Sequence, residues 1–134
     1  MSYEAVSLGL PFAALSSVAY AVSGDGSVVV GLIVNTNFTE SAILWDASNV
    51  AHILPGLGAT SPSDRATGIT EDGTIAVGYS RNSGGLHHAV YWTGGPTWAS
   101  PVVHDLGVLP GASNNESVAL GCSSNASLIV GLSD

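Results

Sequence analysis

Short apolar runs alternate along the chain with segments rich in glycine, serine, asparagine and aspartate. Residues 28–30 are Val-Val-Val and residues 128–130 are Leu-Ile-Val, and such continuous apolar runs are typical of strands covered on both faces. No segment combines a 3.6-residue apolar period with capping residues at both ends, so the pattern predicts little helix. We therefore expect an all-β protein.

One stretch of this pattern occurs three times: AYAVSGDGSVVVG from residue 19, ATGITEDGTIAVG from residue 66 and ALGCSSNASLIVG from residue 119. Each copy is interpreted as a hairpin, with its turn at Asp-Gly (25–26 and 72–73) or Asn-Ala (125–126). Because alanine resists positive φ, the third turn is expected to be longer or less regular. The Ala-Tyr-Ala at 19–21 is similar to a signal-peptidase site, but its place in a repeat favours the folded interpretation; a secretion signal, if there is one, is expected upstream.

Two more elements complete the repeat. A run ending in tryptophan follows the closing glycine of the first two copies at the same offset, at Trp45 and Trp92. Segments of leucine, glycine and proline predict a fourth strand; we name residues 8–11, 53–58 and 106–111 the Leu-Pro segments. Eleven strands are then expected in a single repeat domain, residues 1–134. Its parts are a leading Leu-Pro strand (1–15), a first repeat (16–58), a second (59–111) and a partial third (112–134).

Four short strands in a repeat of this length are typical of a propeller blade. The expected fold is all-β, with four-stranded antiparallel repeats of propeller-blade type in an incomplete propeller that other chains or missing sequence would complete. A β-sandwich or a β-solenoid is the alternative. Propellers close with roughly four to eight blades, so both ends are expected to leave open strand edges, which pair with copies of the chain in a homo-oligomer or a filament.

The acidic net charge and the small number of basic residues exclude some classes of binding partner. The chain has a net charge of -8 and only two basic residues, Arg65 and Arg81. Nucleic acid is excluded as a partner because its phosphates require clustered Lys or Arg. Membrane insertion is also not expected, since no apolar run approaches the roughly 20 residues of a spanning helix. The single cysteine, Cys122, excludes an internal disulfide.

The residues that carry enzyme chemistry are missing or badly spaced. The chain has no lysine, no phosphate-binding Gly-rich loop and no Gly-x-Ser-x-Gly elbow. His104 and Asp105 are adjacent, so on a strand they point to opposite faces. His87 and His88 diverge in the same way and make a poor metal site. We therefore expect no catalytic residue, no metal and no cofactor, and we interpret Cys122 as a small buried hydrophobe.

One aromatic side chain is a candidate contact residue. Trp45 and Trp92 repeat and are expected to be buried, whereas Trp98 lies in an insertion that the first repeat lacks and is expected to be more exposed. Together with Tyr79, Arg81 and His87 it forms the predicted ligand-binding set. The alternative is that its ring folds back over a blade edge. A flat ring near Asn and Ser groups would suit a carbohydrate.

The repeat frame Ala-x-x-Val-Ser-x-Asp-Gly-x-x-Val-Val-Gly, followed by HAVYW at 88–92 and Leu-Gly-x-Leu at 106–109, resembles the HAF repeat. The resemblance covers nearly the whole chain, although SAI at 41–43 and HAV at 88–90 stand where the family has His-Ala-Phe. It implies an extracellular or cell-surface location, kelch-like blades and no catalytic residues. We expect a structural or adhesive repeat module that self-assembles through blade edges, with carbohydrate or a surface protein as further partners. A ligand-binding, lectin-like propeller is the alternative.

Overall fold

The structure is a computed structural model that describes residues 2–11 and 13–134. Within these residues the chain forms strands and one 3₁₀ helix, Gly95–Thr97, without any α-helix. The strands are β1 (Ser16–Val22), β2 (Val29–Val34), β3 (Glu40–Trp45), β4 (Ala51–Ile53), β5 (Arg65–Ile69), β6 (Ile75–Arg81), β7 (His87–Thr93), β8 (Val102–Gly107), β9 (Ser117–Cys122) and β10 (Ile129–Ser133). The predicted all-β class is confirmed.

The strands form two complete sheets and one hairpin. β1 to β4 make the first sheet and β5 to β8 the second, each in sequence order with every neighbouring pair antiparallel. β9 and β10 pair only with each other and form the third-unit hairpin. The prediction of four-stranded antiparallel, blade-like repeats is therefore confirmed.

The Leu-Pro segments, however, are mostly not strands. β4 ends at Ile53 and β8 ends at Gly107, so each fourth strand includes only the first one or two residues of its Leu-Pro segment and ends before the proline. Residues 2–11 and 13–15 form no strand, which makes the predicted leading strand wrong; Met1 and Phe12 lie outside the described residues. The described chain has ten strands where eleven were predicted. Proline provides no N–H for a strand ladder, and the carbonyl groups of these segments have another use.

Backbone carbonyl groups of the Leu-Pro segments accept hydrogen bonds from the indole N–H groups of the repeated tryptophans. Trp45 Nε1 donates to the Gly9 carbonyl at 2.6 Å, and Trp92 Nε1 donates to the Pro55 carbonyl at 2.7 Å. Both indoles are fully buried, as predicted. A Leu-Pro segment thus lies before each sheet and binds the tryptophan of the sheet that follows, which satisfies a polar atom that burial would otherwise leave without a partner.

Apolar contacts between sheets form the core. Val30, Ala42 and Leu44 of the first sheet pack in one cluster with residues of the second sheet, among them Val90 and Trp92. A second cluster joins the second sheet to the third-unit hairpin through Val77, Ala89, Ala119, Cys122 and Ile129. On the outer side of the first sheet, Leu8 and Ala14 cover Ile33, Ile43 and Trp45. Each sheet therefore buries side chains on both faces.

The glycine that closes each repeat lies opposite a β-bulge. The register of β1 with β2 shifts between Ala19 and Ala21, directly across from Gly31, and the other two hairpins shift at the matching places. A Cβ at Gly31, Gly78 or Gly131 would collide with the carbonyl of the bulged strand. Glycine is required at this position because the backbones of the two strands are in contact and leave no space for a side chain.

We predict that Gly78→Ala lowers the free energy of unfolding by roughly 2–3 kcal/mol, since backbone must move to admit the methyl group. Gly121→Ala is the matched control in a strand, because its Cβ would meet only Val130 Cγ2 at 3.9 Å. The control should change stability by less than about 1 kcal/mol. Chemical denaturation measures both, and equal losses would contradict the close approach.

The three hairpin turns have one geometry, so the expectation of a longer or less regular third turn is wrong. Gly26, Gly73 and Ala126 all have positive φ (78°, 71° and 56°), and each donates its N–H to the residue three positions earlier. The Asp25 carboxylate accepts the Ser27 N–H at 3.0 Å, and the Asn125 amide oxygen accepts the Ser127 N–H at the same distance. This side-chain bond keeps the turn closed even where alanine occupies the strained position.

The same bond makes the first turn sensitive to acid. Hydrogen bonds from the Ser27 backbone, and then from the Ser23 and Ser27 hydroxyls, lower the pKa of Asp25 to about 2. A carboxyl whose folded pKa is depressed stabilises the fold above its unfolded pKa, and this stabilisation is lost as the pH falls through the folded value. Asp25→Asn should therefore reduce the loss of stability between about pH 4 and pH 2.

The third turn offers the reverse experiment. Asn125→Asp should add acid sensitivity over the same interval, because the new carboxylate would accept the same Ser127 N–H. The free energy of unfolding, measured by denaturant titration from pH 2 to pH 7, checks both variants. Unchanged acid limbs in both proteins would show that these carboxylates do not act through the turn.

Candidate functional site

Trp98 is buried, contrary to the prediction that it is the most exposed tryptophan. Its exposed fraction is 1%, and its Nε1 donates to the Gly73 carbonyl at 2.9 Å. The backbone at Trp98 has a φ of 53°, directly after the 3₁₀ helix, and this turns the indole back onto Gly94. The insertion thus closes the end of the second sheet, as the alternative interpretation proposed, and Trp98 cannot contact a ligand in this conformation.

Tyr79, Arg81 and His87 lie together, but far from Trp98. Arg81 pairs with His87 at one end of β6 and β7, while Trp98 bonds the turn beyond the other end of these strands. Six residues of strand, about 20 Å, separate the two ends. The predicted four-residue set is therefore divided, and only three of its members are neighbours.

These three side chains are mostly occupied within the protein. The Tyr79 and His87 rings meet edge to face with centroids 5.4 Å apart, and Arg81 Nε donates to the Gly85 carbonyl at 2.8 Å. His87 Nδ1 lies 3.4 Å from Glu116 Oε1 of the third unit. The cluster joins a hairpin turn to the third unit, and its aromatic edges and guanidinium have structural contacts instead of facing an open pocket.

The remaining histidines each have a local partner. His52 Nε2 lies 2.8 Å from Asp46 Oδ2, His88 Nδ1 lies 2.9 Å from Asp105 Oδ2, and His104 stacks on Tyr91 with centroids 4.4 Å apart. Across residues 2–11 and 13–134, no three metal-binding side chains come together. Each of these three histidines links neighbouring strands, or a strand and a turn, within its own sheet.

Two other reactive groups have structural surroundings. Cys122 packs with Val77, Ala89 and Ile129, and burial raises the pKa of its thiol, so the thiolate is disfavoured. Asp64 is almost fully buried, and burial raises the pKa of its carboxyl, although Ser80 Oγ and the Arg81 N–H donate to Oδ1 at 2.7 and 3.0 Å. Ser80 Oγ also accepts the Leu57 N–H, which fixes a Leu-Pro segment to β6.

The third-unit hairpin has an exposed apolar surface that the sequence analysis did not single out. Leu128, Val130 and Leu132 alternate along the strand, share one face and are 61%, 52% and 58% exposed. We call this the back face, because the opposite face of the hairpin packs on the second sheet. The corresponding residues of the first repeat are Val28, Val30 and Leu32, which are only 8%, 0% and 3% exposed.

The presence or absence of a covering sheet explains the difference in exposure between the two repeats. Val28 and Val30 are buried because the second sheet covers them. No described residue covers the same positions in the third unit. The back face is therefore the surface on which a further repeat would stack, and no described residue covers it. The alignment of the repeats in the sequence could have predicted this surface.

A groove lies along the free edge of β10 and has a volume of about 470 Å³. Its walls come from the second sheet, the third Leu-Pro segment and the hairpin. They include Ala89, Leu106, Gly107, Leu109, Ala119 and Gly131. Together, the groove and the back face make the third unit the candidate interaction site.

No protein-family model and no curated protein matches the chain. The resemblance to the HAF repeat therefore rests on the residues quoted above. Among the residues that the structure describes, no helix is long and apolar enough to cross a membrane.

The burial of Trp98 gives a direct test of its role. Trp98→Ala should lower the free energy of unfolding by about 3–5 kcal/mol, because a buried ring is removed and the Gly73 carbonyl loses its donor. Arg81→Ala, at the opposite end of the strands, should cost less than about 1 kcal/mol. Thermal and chemical denaturation compare the two variants; a small effect at Trp98 would return this residue to the list of contact candidates.

Proposed function

We propose that this chain is a structural or adhesive repeat module of an extracellular or cell-surface protein, and that it associates with copies of itself by stacking of its blade-like repeats. The observation that carries this proposal is the back face. Leu128, Val130 and Leu132 repeat a surface that is buried in the first repeat, where the second sheet covers it. A second copy that stacks there would remove three large apolar side chains from water.

The backbone of the turns supports a head-to-tail arrangement. The Gly24 N–H donates to the Glu71 carbonyl at 2.9 Å, and the Glu71 N–H donates to the Ser124 carbonyl at 2.9 Å. These three residues hold equivalent positions in successive repeats. Within the described chain the Ser124 N–H and the Gly24 carbonyl have no partner, so the same bond can form between Ser124 of one copy and Gly24 of the next.

The first sheet offers a suitable counterpart. Leu8 and Ala14 cover its outer half, whereas Val22 on the same side stays exposed. The corresponding side of the second sheet packs against the first. A back face stacked on the first sheet of the next copy would repeat an interface that the chain already contains, in a closed ring of propeller type or in an open filament.

Composition and the family resemblance support the location. The chain is acidic, has no lysine and has a low charged fraction of 9%. The HAF repeat, which it resembles, belongs to probable extracellular proteins. The lectin-like alternative loses its central residue, because Trp98 is buried.

Light scattering at several concentrations tests self-association. The wild-type chain should show a mass above that of one 13.4 kDa copy as its concentration rises. Leu132→Asp places a charge on the back face and should shift the chain to monomers. The substitution is at an exposed site, so the fold should be preserved, and circular dichroism verifies this.

Phe38→Asp is the matched control. Phe38 is exposed in the turn between β2 and β3, so this variant removes an apolar group and adds the same charge away from the proposed interface. It should associate like the wild type. A wild-type chain that remains a folded monomer, or equal effects of both substitutions, would refute association through the back face.

A further inference from the structure

The free edge of β10 lacks the third strand that the other two units have. β2 is paired on both sides, by β1 and β3, and β6 is paired by β5 and β7. β10 is the counterpart of β2 and β6 and is paired only by β9. In the described part of the chain, one side of its backbone is open along the whole strand.

The positions of the open backbone groups follow from the ladder. The Asp134 N–H donates to the Glu116 carbonyl, and the Leu128 carbonyl accepts from Ser123, so residues 128 and 134 face β9. Backbone groups along an antiparallel strand alternate in direction. Ile129, Gly131 and Ser133 therefore direct their N–H and carbonyl groups to the free edge.

The groove corresponds in position to the space that β7, the strand with Trp92, occupies beside β6 in the second unit. In the core between the first two sheets, Ala42 and Leu54 pack in one cluster with Val90 and Trp92 of β7. The counterparts of Ala42 and Leu54 one repeat later are Ala89 and Leu106, and both line the groove. The space beside β10 thus corresponds to the space that Val90 and Trp92 fill in the second unit.

The Leu-Pro segment beside the groove is bound to β10 by the same kind of hydrogen bond that binds the second Leu-Pro segment to β6. The Leu109 N–H donates to Ser133 Oγ at 3.0 Å, just as the Leu57 N–H donates to Ser80 Oγ at 2.8 Å. In the second unit the carbonyl two residues before Leu57, that of Pro55, accepts the Trp92 indole N–H. Its counterpart two residues before Leu109 is Gly107, which lines the groove. The Gly107 carbonyl already accepts the Ser117 hydroxyl, and its second lone pair is the acceptor that an indole N–H would use.

We infer that β10 is a strand-acceptor site, which binds an extended segment with the pattern of β7 from another polypeptide that carries this repeat. The inference rests on the proposed function and names the chemistry of its partner: small and β-branched residues followed by tryptophan. The backbone of that segment pairs with Ile129, Gly131 and Ser133, and its indole fills the groove. β3 and β7 are paired on both sides, so a folded second copy does not donate them.

The register of the second unit fixes the details of the donor. Trp92, Val90 and His88 pair with Ala76, Gly78 and Ser80, whose counterparts in β10 are Ile129, Gly131 and Ser133. Ser133 matches Ser80, so the β7 sequence suits this edge. Tyr91 and Ala89 direct their backbone groups to the opposite side, as the bond from the Ala89 N–H to Ser117 Oγ shows.

Binding of a synthetic peptide with the sequence of His87–Thr93, capped at both ends, tests the inference on the full chain. Amide hydrogen exchange should slow at Gly131 and Ser133 by at least about tenfold at saturation, since these N–H groups gain acceptors. Val130 and Leu132 already face β9 and should change little. Saturable binding without this alternation would overturn the assigned register.

Peptide variants provide the matched controls and leave the fold of the chain untouched. N-methylation at Val90 blocks an N–H that faces β10 and should weaken binding by at least about tenfold, while N-methylation at Tyr91 should change it by less than about threefold. Trp92→Ala in the peptide should also weaken binding about tenfold or more, because the groove stays unfilled. No binding, or equal effects of the two N-methyl groups, would overturn the inference.

This result is separable from the test of self-association. A chain that stays monomeric in light scattering but binds the peptide in this register contradicts association through the back face and supports strand acceptance. A chain that associates through Leu132 but does not discriminate between the peptides supports the proposed function and overturns strand acceptance.

Discussion

Each sheet of this protein has two apolar faces, and a neighbouring layer must cover both of them. This requirement determines the arrangement of the units, because a four-stranded sheet with valine and leucine on either side is not stable alone in water. The first sheet covers the second, the second covers the hairpin, and Leu8 and Ala14 cover part of the outer side of the first. The repeat is therefore a unit of stacking, and its stability comes from its neighbours.

The polar contacts follow the same direction of stacking. Arg65 of the second sheet donates two hydrogen bonds to Glu40 of the first, at 2.9 and 3.0 Å. Thr67 Oγ1 donates to the Ala119 carbonyl of the third unit at 2.8 Å. The backbone bonds between the hairpin turns add a third connection. Because these groups are directional, they fix the rotation of each unit on the next, which apolar contact alone leaves less defined.

The third unit is the place where the stacking stops in the described chain. Its hairpin has one covered face, one exposed face and one open edge, while its Leu-Pro segment is already fastened to Ser133. Both proposals start from this incomplete unit. One concerns its back face and predicts stacking of copies; the other concerns its edge and predicts pairing with a single strand. The two surfaces lie at right angles to each other on the same strand, so different partners can occupy them.

The sequence by itself determined the class of the fold and the content of the units. Continuous apolar runs, repeated turns and the constant tryptophan offset were enough to predict four-stranded antiparallel sheets with Trp45 and Trp92 in the core, because these features are local or repeated. The tertiary structure decided what depends on distant contacts. It placed Trp98 under the Gly73 carbonyl, moved the fourth strands ahead of their prolines and gave Ala126 the same turn as Gly26. In each case a hydrogen bond or backbone contact outweighed the local propensity of the residue, and no single-residue pattern records such a partner.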